Sequence, residues 1–216
     1  MKYEYVLFDL DGTLTDPEEG ITESIRYALS SFGIEENDRA KLRSFIGPPL
    51  KTSFQEFYSM SEDRAEIAIA RYRERFADRG LYENAVYPEV ENLLASLGET
   101  GACVALATSK PTVYALRILE HFGLDGYFDF ALGSELDGTR TAKADVVAEV
   151  IEHFAETDLT KYVMVGDRSH DMVGARSNGI DSIGVLYGYG SRDELVENGA
   201  MHIVESVDEL TRFLCE

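Results

Sequence analysis

Tyr5-Val6-Leu7-Phe8-Asp9-Leu10-Asp11-Gly12-Thr13-Leu14-Thr15-Asp16 is the stretch from which the fold of this chain is read. Its apolar run, Val6, Leu7 and Phe8, is the pattern of a strand covered on both faces, as in the middle of a parallel sheet. The run ends abruptly in two aspartates and a glycine. A carboxylate taken out of water without a partner is costly, so a buried strand does not end this way by default. Alternate strand residues share a face, which starts Asp9 and Asp11 on the same side. Gly12 permits a sharp turn with positive φ directly afterwards. Two like charges this close repel unless a cation lies between them, and a hard divalent ion taking oxygen ligands is the simplest resolution. An acidic turn in an acidic chain is the plain alternative, since turns favour Asp and Gly.

Composition narrows the choice. The 216 residues, 44% of them hydrophobic, suffice for one large or two small domains with a sizeable core. Forty acidic residues against 20 basic ones give a net charge of -20. Such a surface repels nucleic acid and anionic lipid, and would take a phosphate ester only at a local cation or metal. Cys103 and Cys215 form neither a disulfide framework nor a zinc spacing. Met1-Lys2-Tyr3-Glu4 begins no signal peptide, and no apolar run approaches the ~18 residues of a membrane span. The expectation is a cytoplasmic protein with neither nucleic acid nor membrane as partner.

Read onward, Asp16, Pro17 and Glu19 look like a helix start, with Asp16 as the N-cap. Ile21, Ile25, Ala28, Leu29 and Phe32 then recur at helical spacing up to Gly33. Further helices are expected over 40–45, from Leu50, and from Ser61 with Ala65, Ile69, Tyr72 and Phe76 on one stripe. Gly47-Pro48-Pro49 breaks the run between the first two. From Pro88 the pattern alternates. A helix ends at Gly98, and a buried strand, Cys103 to Ala107, exits into Thr108-Ser109-Lys110-Pro111. A helix stopped by Gly123 follows, then a strand at 128–132, then a helix carrying Val146, Val147, Val150 and Ile151. Tyr162 to Val165 is a strand ending in Gly166-Asp167-Arg168-Ser169-His170-Asp171, and Ser182 to Leu186 is another. Ser191 with Glu194 and Ser206 with Glu209 read as capping boxes of the last two helices, with a short strand at 201–204 between them. Alternation of this kind means βαβ units, so the fold class is α/β, a doubly wound parallel sheet. The core is expected to span 1–15 and 86–216, with 16–85 inserted as a helical cap domain.

In open α/β sheets ligands bind outside the carboxyl ends of the strands. Asp9 and Asp11, Thr108 with Ser109 and Lys110, and Asp167 with Asp171 all follow strands. Asp171 lies near a helix N-terminus, where negative charge is favoured. Lys143 starts a helix, where the dipole disfavours a cation, so it either reaches solvent or pairs with an anion.

Asp9 to Asp16 resembles the first motif of the haloacid dehalogenase superfamily. Ala105-Leu106-Ala107-Thr108 resembles its second motif, Lys143 its third, and Gly166 to Asp171 its fourth, in order and across the whole chain. The resemblance is to the phosphoglycolate phosphatase-like branch, which includes 5′-nucleotidases and carries a helical cap on a Rossmann-like core. It implies a Mg²⁺-dependent phosphatase acting on a small phosphomonoester of phosphoglycolate type through an aspartyl-phosphate. Asp9 would be the nucleophile, Asp11 the general acid and base, Thr108 a hydrogen-bond donor to a phosphoryl oxygen, and Lys143 the neutralising cation. Mg²⁺ would be held by Asp9, by Asp11 through its carbonyl and by Asp167, with Asp171 ordering the site behind them. The second aspartate points to phosphate rather than halide chemistry, because the leaving oxygen needs a proton. Substrate contacts are expected from Ser109 and Lys110 and from the loop Arg43 to Lys51, including Arg43 and Gly47. Arg168, His170, Ser134 and Glu135 are further candidates to line the pocket. The alternatives are a 5′-nucleotidase, a sugar phosphomutase of β-phosphoglucomutase type and, from another class, a signalling receiver domain. The expected partner is a small-molecule phosphate ester, and the expected state a monomer or homodimer.

Overall fold

The computed structural model describes residues 2–216. Their contacts divide the chain into two units, one comprising the segment up to Asp16 with Val86–Glu216 and the other Pro17–Ala85. In chain order, β1 (Tyr5–Phe8) and β2 (Thr15–Asp16) precede α1 (Glu18–Ser30), α2 (Arg39–Arg43), α3 (Leu50–Tyr58) and α4 (Glu62–Arg75), which runs into a π-helical turn at Phe76–Gly80. There follow β3 (Ala85–Val86), α5 (Val90–Thr100), β4 (Cys103–Pro111), α6 (Thr112–Phe122), β5 (Phe130–Ser134) and α7 (Lys143–Phe154). The chain ends with β6 (Tyr162–Gly166), α8 (Ser169–Ser177), β7 (Asp181–Val185), α9 (Arg192–Glu197), β8 (His202–Val204) and α10 (Val207–Cys215).

The first unit is built on a six-stranded sheet in the order β5-β4-β1-β6-β7-β8, paired in parallel throughout. β1 lies in the middle, and Val6, Leu7 and Phe8 are fully buried, as a strand with helices on both faces requires. On one face Leu7, Ala105, Ala107 and Met164 pack with Val146, Val147 and Val150 of α7. Tyr5 stacks on Tyr162 at a centroid separation of 4.5 Å. Each of the Leu, Met and Val side chains contributes about 1.5–3 kcal/mol on burial. The register sets Phe8 level with Leu106 on β4 and with Val165 on β6. The carboxyl ends of three neighbouring strands therefore lie at the same edge of the sheet, and the polar residues at those ends meet there. The second unit is helical. Ile25, Ala28 and Leu29 of α1 and Ala65, Ala68 and Tyr72 of α4 are buried, and Phe45 packs on Phe54 with ring centroids 5.1 Å apart. Among the described residues no helix is long and apolar enough to cross a membrane.

Several local expectations are corrected. Asp16 does not cap α1; it lies in β2, and its carboxylate accepts from the Tyr189 hydroxyl. α1 starts after Pro17 without a side-chain cap, and Glu18 and Glu19 in its first turn complement the dipole instead. Gly98 does not end α5. The helix tolerates that exposed glycine at about 1 kcal/mol and stops at Gly101, whose φ of +78° is the left-handed value a C-cap demands. β4 extends through Thr108 to Pro111, with a register break after Ala107. The two C-terminal capping boxes are half formed. Ser191 accepts from Glu194 N–H at 3.1 Å and Ser206 from Glu209 N–H at 3.2 Å, but both glutamate carboxylates bond elsewhere.

Candidate active site

The site begins where β1 ends. Asp9 is 5% exposed, and the chain beyond it folds back on itself, with Leu14 N–H donating to Leu10 carbonyl at 2.9 Å and Gly12 N–H to Thr15 carbonyl at 2.8 Å. Gly12 has φ +82°, and a Cβ there would stand 2.2 Å from Asp167 Oδ2, so only glycine lets this turn lie against the end of β6. Tyr187 hydroxyl donates to Thr13 carbonyl at 3.0 Å and braces the same turn.

From β4, Thr108 is buried, and its hydroxyl oxygen accepts from Lys110 N–H at 3.2 Å. The Lys110 ammonium lies 2.9 Å from Asp11 Oδ2, with both side chains largely buried. Lys143 is the first residue of α7. Its ammonium is 2.8 Å from Asp9 Oδ1 and 2.8 Å from Asp171 Oδ1, and it donates to Ala107 carbonyl at 2.9 Å. Two carboxylates and a carbonyl thus surround the ammonium, which answers why a cation opens this helix. Asp171, in the first turn of α8, also accepts from Arg168 N–H through Oδ2 at 3.0 Å. Asp167 has no exposed surface; Oδ2 accepts from Tyr189 N–H at 2.8 Å, and Oδ1 has no hydrogen-bond partner among the described residues.

One carboxylate oxygen each from Asp9, Asp167 and Asp171 lie within 4.8 Å of one another. The charges there do not balance. Burial, and then the nearness of Asp171 and Asp9, push the Asp167 carboxyl well above the ordinary carboxylate range. Burial raises Asp171 to about 6 against the pull of Lys143. Burial likewise raises Asp11, with Lys110 opposing. For Lys143 burial works to lower the pKa, but Asp171 and Asp9 outweigh it and hold the ammonium charged. Excess negative charge, an orphaned buried oxygen and an all-oxygen donor set fit a hard divalent cation such as Mg²⁺ better than zinc. The Asp11 carboxylate, held by Lys110, lies outside the three-carboxylate group.

The other expected residues sort by unit. Ser109 is half-buried, and its carbonyl accepts from Ser134 hydroxyl at 2.8 Å. Glu135 pairs with Arg140 and Arg168 with Glu194. His170 is half-buried, its Nδ1 has no hydrogen-bond partner among the described residues, and burial lowers its pKa. Arg43 and Gly47 belong to the helical unit. There Arg43 meets Glu18 at 2.5 Å, Gly47 has φ +101°, and Lys51 pairs with Glu62 at 2.6 Å. The reading of the sequence missed Tyr187, Tyr189 and Glu194. The signal available was Tyr187-Gly188-Tyr189-Gly190, an aromatic and glycine segment leaving β7 at the same edge of the sheet.

A consequence for stability follows from Asp167. With its carboxyl raised in the folded chain, the folded state binds more protons than the unfolded state above about pH 4, so this group costs stability as pH rises. Asp167→Asn, which removes that titration, is expected to be more stable than wild type in chelator. Its advantage should grow with pH by up to about 1.4 kcal/mol per unit until the Asp167 carboxyl is ionised. Saturating divalent cation should reverse the order, since an ion held by these three carboxylates would bind only the folded wild type. Urea unfolding at a series of pH values reads this out, and a pH-independent difference in chelator would contradict it.

Comparison with known proteins places these features in a family. A model described as haloacid dehalogenase-like hydrolase matches residues 6–185. A 5′-nucleotidase from Pseudomonas aeruginosa is 46% identical over 217 residues, covering 99% of this chain and 96% of the relative. The tyrosine-protein kinase PtkA of Mycobacterium tuberculosis is 38% identical over 215 residues, covering 98% of this chain and 72% of the relative. The solved structure of a phosphatase from Clostridium acetobutylicum, described as predicted, superposes with a TM-score of 0.95 at 49% identity and 99% coverage of both chains.

Proposed function

The chain belongs to the haloacid dehalogenase-like hydrolase family, and from that premise we propose that it is a Mg²⁺-dependent phosphatase hydrolysing a small phosphomonoester through an aspartyl-phosphate on Asp9. The observation that carries this is the Lys143 ammonium bridging Asp9 and Asp171 beside the orphaned oxygen of Asp167.

Asp9 would attack phosphorus in line, forming the aspartyl–phosphorus bond as the ester oxygen departs. Asp11, whose carboxyl burial raises, would give that oxygen its proton. It would then take a proton from the water that attacks the aspartyl-phosphate, releasing inorganic phosphate and restoring Asp9. Proton transfer of this kind is worth about 10²–10⁴-fold. Lys110 would hold the Asp11 carboxylate in place. Thr108 and the backbone N–H groups of the Asp9 turn would hold phosphoryl oxygens, and Lys143 would offset charge on Asp9 and the phosphoryl group. Mg²⁺ held by Asp9, Asp167 and the Asp11 carbonyl, with Asp171 behind them, would supply neutralising charge and orientation. Ser109, Lys110, Arg43 and Gly47 are our candidates for contact with the rest of the substrate.

Phosphoglycolate is the substrate type suggested by the sequence motifs, whereas the 46% identity to a 5′-nucleotidase favours nucleoside monophosphates. A panel of phosphoglycolate, nucleoside monophosphates and sugar phosphates with Mg²⁺ separates them. We expect continuous phosphate release, highest in kcat/KM on a nucleoside monophosphate and lost in chelator. A single stoichiometric labelling would instead mean a receiver, dependence on added bisphosphate a mutase, and ATP-dependent tyrosine labelling a kinase. Each of these results would overturn the proposal.

A further inference from the structure

We infer that Glu194 is a positioning residue that sets the Asp167 and Asp171 carboxylates from outside the site, and thereby the affinity for the divalent cation they would hold. This rests on the metal reading above. Glu194 stands in the first turn of α9, where the sequence suggests it should cap its own helix. Its carboxylate instead crosses to α8. Oε1 accepts from Ser169 N–H at 2.8 Å and from Arg168 Nε at 3.0 Å. Ser169 is the first residue of α8, so its N–H is one of the donors a helix start leaves without an intrahelical acceptor.

Arg168 and Ser169 lie between the two aspartates, and their backbone is held twice. Asp171 takes the Arg168 N–H at 3.0 Å from within α8, and Glu194 takes the next N–H from outside. The outer holder is itself anchored. Leu195, fully buried, packs on β7 so closely that a Cβ on Gly184 would lie 2.8 Å from its Cδ1. Ser191 caps α9 without help from the Glu194 side chain. The hydrogen bond to Ser169 is charge-assisted and partly buried, so it constrains the peptide more than a surface ion pair would. Burial works to raise the Glu194 pKa, but the Ser169 N–H and Arg168 outweigh it and keep the carboxylate ionised.

Residues that orient metal-holding carboxylates from behind typically change metal affinity by about 10–100-fold when removed. The probe is Mg²⁺ alone, titrated calorimetrically into the full chain without substrate. Glu194→Ala is expected to weaken Mg²⁺ binding by about 10–100-fold. Glu194→Gln, whose amide oxygen still accepts from Ser169 N–H, should recover most of the loss. Ser191→Ala, which uncaps α9, should lower the melting temperature of the metal-free protein and leave Mg²⁺ affinity at the wild-type value. Wild-type affinity in Glu194→Ala overturns the inference alone, as does an equal loss in Ser191→Ala, which would make Glu194 merely part of a stable helix. Failure of the wild type to bind Mg²⁺ overturns the metal reading and this inference with it.

Discussion

Asp9→Asn is expected to lose phosphatase turnover by about 10⁴-fold or more, the scale seen when a covalent nucleophile is removed, and to trap no phosphate on the protein. The amide keeps the volume of the carboxylate and fills the same place at the end of β1, so the fold should survive. Lys143 retains Asp171 at 2.8 Å and Ala107 carbonyl at 2.9 Å. What goes is the anionic oxygen that would bond phosphorus. Quenching the reaction with labelled substrate and counting phosphate on the protein tests the covalent step, and steady-state phosphate release tests the cycle. A variant releasing phosphate at the wild-type rate would remove Asp9 as nucleophile.

The second large effect is on stability. Lys143→Met places a side chain of similar length where the ammonium stood and leaves Asp9 and Asp171 without their shared cation. Removing one partner of a buried ion pair costs about 3–5 kcal/mol, because the remaining charge is stranded out of water. The expected sign with pH follows from linkage. Burial already raises Asp171 to about 6 and Lys143 is what pulls it down, so without the ammonium the folded variant binds more protons than the unfolded chain, and its stability falls as pH rises through that range. In chelator the deficit should be larger at pH 8 than at pH 5, read from urea midpoints. A midpoint equal to wild type at pH 8 would show that Lys143 does not neutralise the pair. Phosphatase activity should fall with it, since the same ammonium is assigned to offset charge during transfer.

Asp9 and Lys143 were both visible in the sequence, for different reasons. Asp9 broke a rule, standing as a charge at the end of a run that only a buried strand explains. Lys143 broke a weaker one, as a cation at a helix start, and its partners were not readable. Asp16 misled because Asp-Pro-Glu-Glu satisfies the local grammar of a capped helix. In the folded chain the Tyr189 hydroxyl, distant in sequence, takes that carboxylate and leaves Asp16 in a strand. Glu194 misled in the same way: its spacing from Ser191 fits a capping box, yet a helix start elsewhere in the fold takes its carboxylate. Gly98 and Gly101 differ in a property that composition does not show, since only the second adopts positive φ.

By itself the sequence determined the doubly wound sheet and the edge where chemistry gathers. Both follow from signals repeated along the chain, apolar strands alternating with amphipathic helices and polar residues placed directly after strands. Tertiary structure alone decided which polar groups are partners. Lys110 goes to Asp11, Lys143 to Asp9 and Asp171, Tyr189 to both Asp167 and Asp16, and Glu194 to the start of α8. The physical reason is that a hydrogen bond or ion pair depends on distance in space, and residues far apart along the chain carry no periodic mark of the neighbour that folding will bring them.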